Sequence, residues 1–163
     1  LRDGAGLSVA AITGTTSAMD CPVTEPGVVP TRAQIERLER CMRECPQLTI
    51  EPVHRFAGGL YAREITIPAG TLLTGKVHRF EHLNIISEGD ITVWTEDGMR
   101  RLRAPCTLVS RPGTKRVGYA HKTTVWTTIH ATPLTDLEAI ERELIEPDSL
   151  VEADPTTLLE AAA

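Results

Sequence analysis

Between Leu48 and Ala131, turn-forming residues interrupt the chain every eight to twelve residues, and this spacing constrains the fold more than any other feature. The turn signals are Ala57-Gly58-Gly59, Pro68-Ala69-Gly70, Glu88-Gly89-Asp90, Glu96-Asp97-Gly98, Ala104-Pro105, Pro112-Gly113 and His121-Lys122. The stretches between them are rich in Val, Ile and Thr, which suit a pleated, half-buried surface. They predict strands at 48–55, 60–67, 72–78, 82–87, 91–96, 98–102, 106–110, 116–120 and 124–130. Many short strands at this spacing point to an antiparallel sandwich or barrel. Neither βαβ units nor a solenoid repeat is visible in the chain.

Helical patterns flank this region. Thr31 and Gln34 form a capping-box pattern, and Ile35, Leu38, Met42 and Cys45 recur at helical spacing until Pro46 ends the run. A second helix is expected from Thr135, capped by Thr135 with Glu138, with Leu137, Ile140 and Leu144 as its apolar stripe. The expected organisation is a flexible leader and linker over 1–30, a helix packing on the barrel over 31–46 and the β-barrel over 47–132. A C-terminal helix with an acidic tail follows over 133–163. The tail is expected to be loosely held or used in subunit contact. Covering an open face of the barrel is the simpler role for both helices, and joining subunits is the alternative. Arg2 before the short apolar run Leu7 to Ile12 fits a secretory signal poorly, and Met19 is a second candidate start.

A chain of 163 residues suffices for one domain with extensions. Aromatic residues make up only 4%, so a core must rest on aliphatic side chains and Thr. The formal charge of −5 argues against a nucleic-acid partner, which calls for a basic field. Apolar runs are too short to span a bilayer. Cys21, Cys41, Cys45 and Cys106 are too few and scattered for a disulfide framework, which favours a reducing, cytoplasmic setting. Cys41 and Cys45 share a helix face but lack further ligands nearby, so helix packing is the expected role.

Strands alternate faces with period two. Thr74, Lys76, His78, His82, Asn84 and Ile86 therefore share one face if the turn at Phe80 keeps register, and His130 shares the parity of Trp126 and Thr128. Histidine, lysine and arginine on one wall offer either imidazole ligands for a divalent transition metal or a cationic grip on an anion. His121 is expected in a hairpin turn, at the rim or surface. Cys106 and Lys76 lack partners at a recognisable catalytic spacing, which sets covalent catalysis aside. Glu81, the carboxylate nearest the histidines in sequence, has the wrong parity to orient one.

The stretch PAGTLLTGKVHRFEHLNIISEG, followed by Arg111-Pro112-Gly113, resembles the cupin family of small double-stranded β-helix (jelly-roll) barrels. With Gly89 as the closing Gly of the family's first motif, His78 stands at the second His and His82 at the Glu. Lys76 falls at the first His. In the second motif, anchored on Gly113, Arg116 falls at the His and Ala120 at the Asn. The resemblance implies a mostly β, jelly-roll barrel with flanking helices and an inward-facing pocket. Two cations at ligand positions oppose a metal, while His130 offers a third imidazole beside His78 and His82.

The expected function is binding of a small anionic molecule, with Lys76, His78, His82, Asn84, Arg116 and Trp126 as candidate ligand-binding residues. A metal- or His-dependent enzyme (isomerase, epimerase or oxygenase) is the second reading. GKVHRFEHLNIISEGDI and PGTKRVGYAHKTTVWTTIH also resemble cupin-like proteins carried by phages and prophages, which implies a third reading as a virion module. A homodimer is expected, because exposed edge strands need cover.

Overall fold

Two long strands, β5 (His82–Thr95) and β8 (Val117–Ala131), pair with each other along most of their length and organise the molecule. The computed structural model describes residues 11–13 and 29–147. The remaining strands are β1 (Ala11–Thr13), β2 (Val53–Ala57), β3 (Leu60–Ile67), β4 (Thr71–Thr74), β6 (Gly98–Arg103) and β7 (Cys106–Ser110), and every pairing is antiparallel.

The second half of β8 pairs with β3 and the first half with β4. Likewise the first half of β5 pairs with β7 and the second half with β6. Each long strand therefore runs through two sheets, ordered β2-β3-β8-β5-β7 and β1-β4-β8-β5-β6. This is the expected mostly β, double-stranded β-helix barrel. The two sheets enclose Ile65, Ile67, Leu73, Ile86, Ile91, Val93, Leu102, Ala120 and Trp126, a core dominated by aliphatic side chains.

The bend between the sheets corrects two sequence expectations. Glu88-Gly89-Asp90 and His121-Lys122 read as turns between separate strands, but both lie inside continuous strands with register shifts around Gly89. Gly89 adopts φ 100°, and a Cβ there would run into Thr124 and the backbone of Thr123. Only glycine lets the strands approach so closely while bending. His121 is thus on a strand, exposed, with Nε2 2.7 Å from Thr92 Oγ1.

Other boundaries moved less. Helix α1 (Arg32–Arg43) carries the predicted capping box, while α2 (Leu137–Leu144) is capped by Asp136, whose side chain accepts from the Ala139 amide, and not by Thr135. The strand expected over 72–78 ends at Thr74, and the one expected over 48–55 begins at Val53. Ala11–Thr13, inside the expected leader, pairs with β4. Residues 1–10 and 14–28 of the leader, Cys21 among them, and the acidic tail from Asp148 lie outside the described residues. Cys45 Sγ is 3.7 Å from the Cys41 carbonyl, a local helix contact, and Cys41, Cys45 and Cys106 are free. Among the described residues, no helix is long and apolar enough to cross a membrane.

Candidate metal and anion site

The inner face of the first sheet is a grid set by register. One row holds Tyr61 (β3), His130 (β8), His82 (β5) and Ser110 (β7); the next holds Arg63, Thr128, Asn84 and Leu108; the third holds Ile65, Trp126, Ile86 and Cys106. Polarity falls from the barrel mouth to its floor. The period-two alternation read from sequence thus brings His82, Asn84, Trp126 and His130 to one face.

His78 arrives from the loop after β4 and completes a triad with His82 and His130. The ring centroids of His78 lie 4.2 Å from His82 and 4.8 Å from His130, and those of His82 and His130 are 4.6 Å apart. One ring nitrogen from each lies within 4.8 Å of the others. His82 Nδ1 stands 3.0 Å from the Phe80 carbonyl oxygen. A carbonyl only accepts, so Nδ1 carries the proton and Nε2 is left with its lone pair. That Nε2 and His78 Nδ1 are enclosed and meet no hydrogen-bond partner among the described residues.

All three imidazoles are held neutral. Burial, then the neighbouring His82, His130, Arg116 and Arg63, depress His78 to about 2. Burial, His82 and Arg63 depress His130 to about 4. Burial also lowers His82, with Arg116 in support and the Phe80 contact opposing. Neutral rings with unshared lone pairs are what a transition metal requires.

Beneath the triad, a cavity of about 110 Å³ is lined by Lys76, His78, Asn84, Arg116, Trp126 and Arg63 among others. It gathers five of the six expected ligand-binding residues; the sixth, His82, packs against His78 with its ring tilted by 34°. Asn84 is central. Its Nδ2 donates to Ser110 Oγ at 2.6 Å, and its Oδ1 accepts from Trp126 Nε1 at 2.9 Å and Thr128 Oγ1 at 3.3 Å. Arg116 Nη2 donates to the same Ser110 oxygen, and its guanidinium lies 5.9 Å from the Trp126 ring centre.

The source of positive charge differs from expectation. Lys76 is paired with Glu141 of α2, and the histidines are neutral. The cations of the cavity are Arg116 and Arg63, both lowered to about 10, with burial the leading cause. Arg116, expected on the inner wall, lines the cavity. Sequence reading passed over Arg63, although Tyr61, Arg63, Ile65 and Ile67 share one parity on β3, an arginine on an otherwise inward face.

The mouth is closed by α2 and the residues after it. The Arg79 amide donates to the Leu144 carbonyl at 2.8 Å, the Glu146 amide donates to the Val77 carbonyl at 2.9 Å, and His78 bridges to Ile145. Tyr61, Ile140 and Leu144 form a second apolar cluster under this cover.

No family model matches the chain, and no curated protein does. Similar solved structures include an RmlC-like cupin from Methanocaldococcus jannaschii (13% identity, 52% of this chain, 81% of that one, TM-score 0.44). KdgF from Halomonas (19%, 53% and 82%, 0.44) and the Cnp3 cupin domain from Schizosaccharomyces pombe (17%, 61% and 75%, 0.45) are further examples. These scores lie below 0.5, so the fold assignment rests on the strand pairing itself.

Proposed function

We propose that the barrel binds a divalent transition metal through His78, His82 and His130 and a small anionic molecule beneath it. The observation that carries this reading is the pair of enclosed, unpartnered imidazole nitrogens, His82 Nε2 and His78 Nδ1, in a three-histidine cluster. The Phe80 carbonyl fixes the His82 tautomer as an outer partner does for metal-bound histidine. A bound metal would supply Lewis acidity to an oxygen of the ligand. Arg116, steadied by Ser110 and Trp126, would hold the ligand's negative charge, and Asn84 keeps that wall in place through its three hydrogen bonds. An anion also offsets the charge of a metal set beside two guanidinium groups.

Metal analysis of protein purified without chelators tests the first half. The expected result is about one equivalent of Zn, Fe, Ni or Mn per chain, lost in His82→Ala and His130→Ala. Retention of the metal by both variants would remove the triad from the proposal. Arg116→Ala should weaken binding of a small carboxylate about ten- to a hundredfold, the loss of one charged hydrogen-bonding partner. A homodimer remains part of the reading. Leu83 and Val109 are register partners on the outer face, 44% and 54% exposed, and light scattering of the intact protein tests whether copies pair.

A further inference from the structure

We infer that the anion is a dicarboxylate, with one carboxylate held side-on by Arg63 and the other beside Arg116. This deepens the proposed function and rests on it. Arg63 Nε and Nη2 are enclosed and reach no hydrogen-bond partner among the described residues. These two groups form one edge of the guanidinium, and the same chain shows what that edge does with a carboxylate. Arg101 Nε and Nη2 donate to Asp90 Oδ1 and Oδ2 at 2.8 and 2.9 Å.

A buried guanidinium without an acceptor is costly to the fold, and an apolar side chain would suit the β3 face better. Arg63 stands between Tyr61 and Ile65 on that face, against the cavity. Glu141 lies within its electrostatic reach but takes its ion pair from Lys76. Among the described residues, the fold therefore bears the cost without a hydrogen-bonding partner. Arg63 and Arg116 line one cavity whose other walls include Ile65, Leu73, Ile91, Val93 and Trp126. Two cations in one cavity whose other walls are largely hydrocarbon match two carboxylates joined by a short aliphatic linker. The flat two-donor edge fits a planar carboxylate better than a tetrahedral phosphate, which presents acceptors in three directions.

Calorimetric titration of the full chain with malonate, succinate and glutarate, each beside its half-amide, tests the inference. The best dicarboxylate should bind about ten- to a hundredfold more tightly than its half-amide. Arg63→Met should erase that ratio and raise the melting temperature. Arg63→Lys should restore part of the ratio, which guards against a folding defect in the methionine variant. Survival of the ratio in Arg63→Met would overturn the inference, as would half-amides binding the unmodified protein as tightly as dicarboxylates. If no carboxylate binds the unmodified protein, the anion half of the proposed function fails, and this inference falls with it.

Discussion

The two helices sit at different places on the barrel and are attached by different physics. On α1 the side chains that disappear from solvent are Ile35, Glu39 and Met42. Glu39 is fully buried, with Oε2 beside Lys115 Nζ and Oε1 3.3 Å from Arg43. Lys115 is itself buried and precedes Arg116, so this ion pair pins the segment that aims Arg116 into the cavity. Helix α2 instead buries Ile140 and Leu144 against Tyr61, and its ion pair with the barrel, Lys76 to Glu141, is partly open to solvent. A fully enclosed charge pair tolerates no opening, because each separated charge would be stranded. Apolar contacts with a solvated ion pair can separate and re-form. The Arg116 side of the cavity is thus held fixed, whereas the cover over the histidines is the part able to move.

The largest expected effect tests the fixed side. Glu39→Ala should destabilise the protein by about 3–5 kcal/mol in urea denaturation, because Lys115 is left charged and enclosed. The double variant Glu39→Leu with Lys115→Met should recover most of that loss. A cost below 1 kcal/mol for the single variant, roughly that of an exposed pair, would erase the contrast between the helices.

The movable side is tested next. Ile140→Ala removes a buried anchor and should cost about 2–4 kcal/mol if α2 unfolds together with the barrel. If α2 opens by itself, global stability falls less, while amides of 77–79 and 144–146 exchange faster than those of β5 and β8. The second pattern would show α2 opening on its own, and uniform exchange across both regions would show that it does not.

How far the site could be read from sequence follows the same division. Local rules worked where neighbours in sequence decide the outcome. The Thr31 capping box formed, and strand parity put His82, Asn84, Trp126 and His130 on one face. Sequence could not distinguish a glycine that ends a strand from one that bends it, so Gly89 was read as a turn. The deciding contact is with Thr124, remote along the chain. The same limit hid Glu39 and Arg63, since charged residues are rarely buried without a partner. Their burial depends on Lys115 in one case and on an enclosed cavity in the other. The Lys76 side chain was legible as inward-facing, but its neutralisation by Glu141, far along the chain, was not.

Acid should act on the α2 side before the α1 side. His54 Nδ1 lies 2.8 Å from the Tyr61 hydroxyl, and burial followed by Arg63 lowers its pKa below the usual 6.5. A base depressed in the folded state stabilises above its unfolded pKa, and that contribution is lost as pH falls below about 6.5, where the unfolded chain takes up more protons. In metal-free protein, His78 and His130 shift in the same direction. Thermal melts of metal-free protein should therefore show a falling midpoint below that pH, and His54→Gln should blunt it. A flat profile down to pH 5 would remove imidazole burial from the account of this side.

The smallest effect comes from the latch. Lys76 and Glu141 side chains are 23% and 30% exposed, so their pair is partly screened by water and salt. Glu141→Gln should cost roughly 0.2–1 kcal/mol, shrinking further in high salt. Its functional consequence should be larger than its energetic one. Without the Glu141 charge, Lys76 and Arg63 both face the cavity uncompensated, which should favour an anion already seated there. The cover over His78 should also open more often. Stopped-flow binding of a small carboxylate should then show faster association for Glu141→Gln than for the unmodified protein, with the difference fading as salt rises. Equal association rates at low salt would mean that α2 does not gate the cavity, and the mouth would then be as fixed as the Glu39 side.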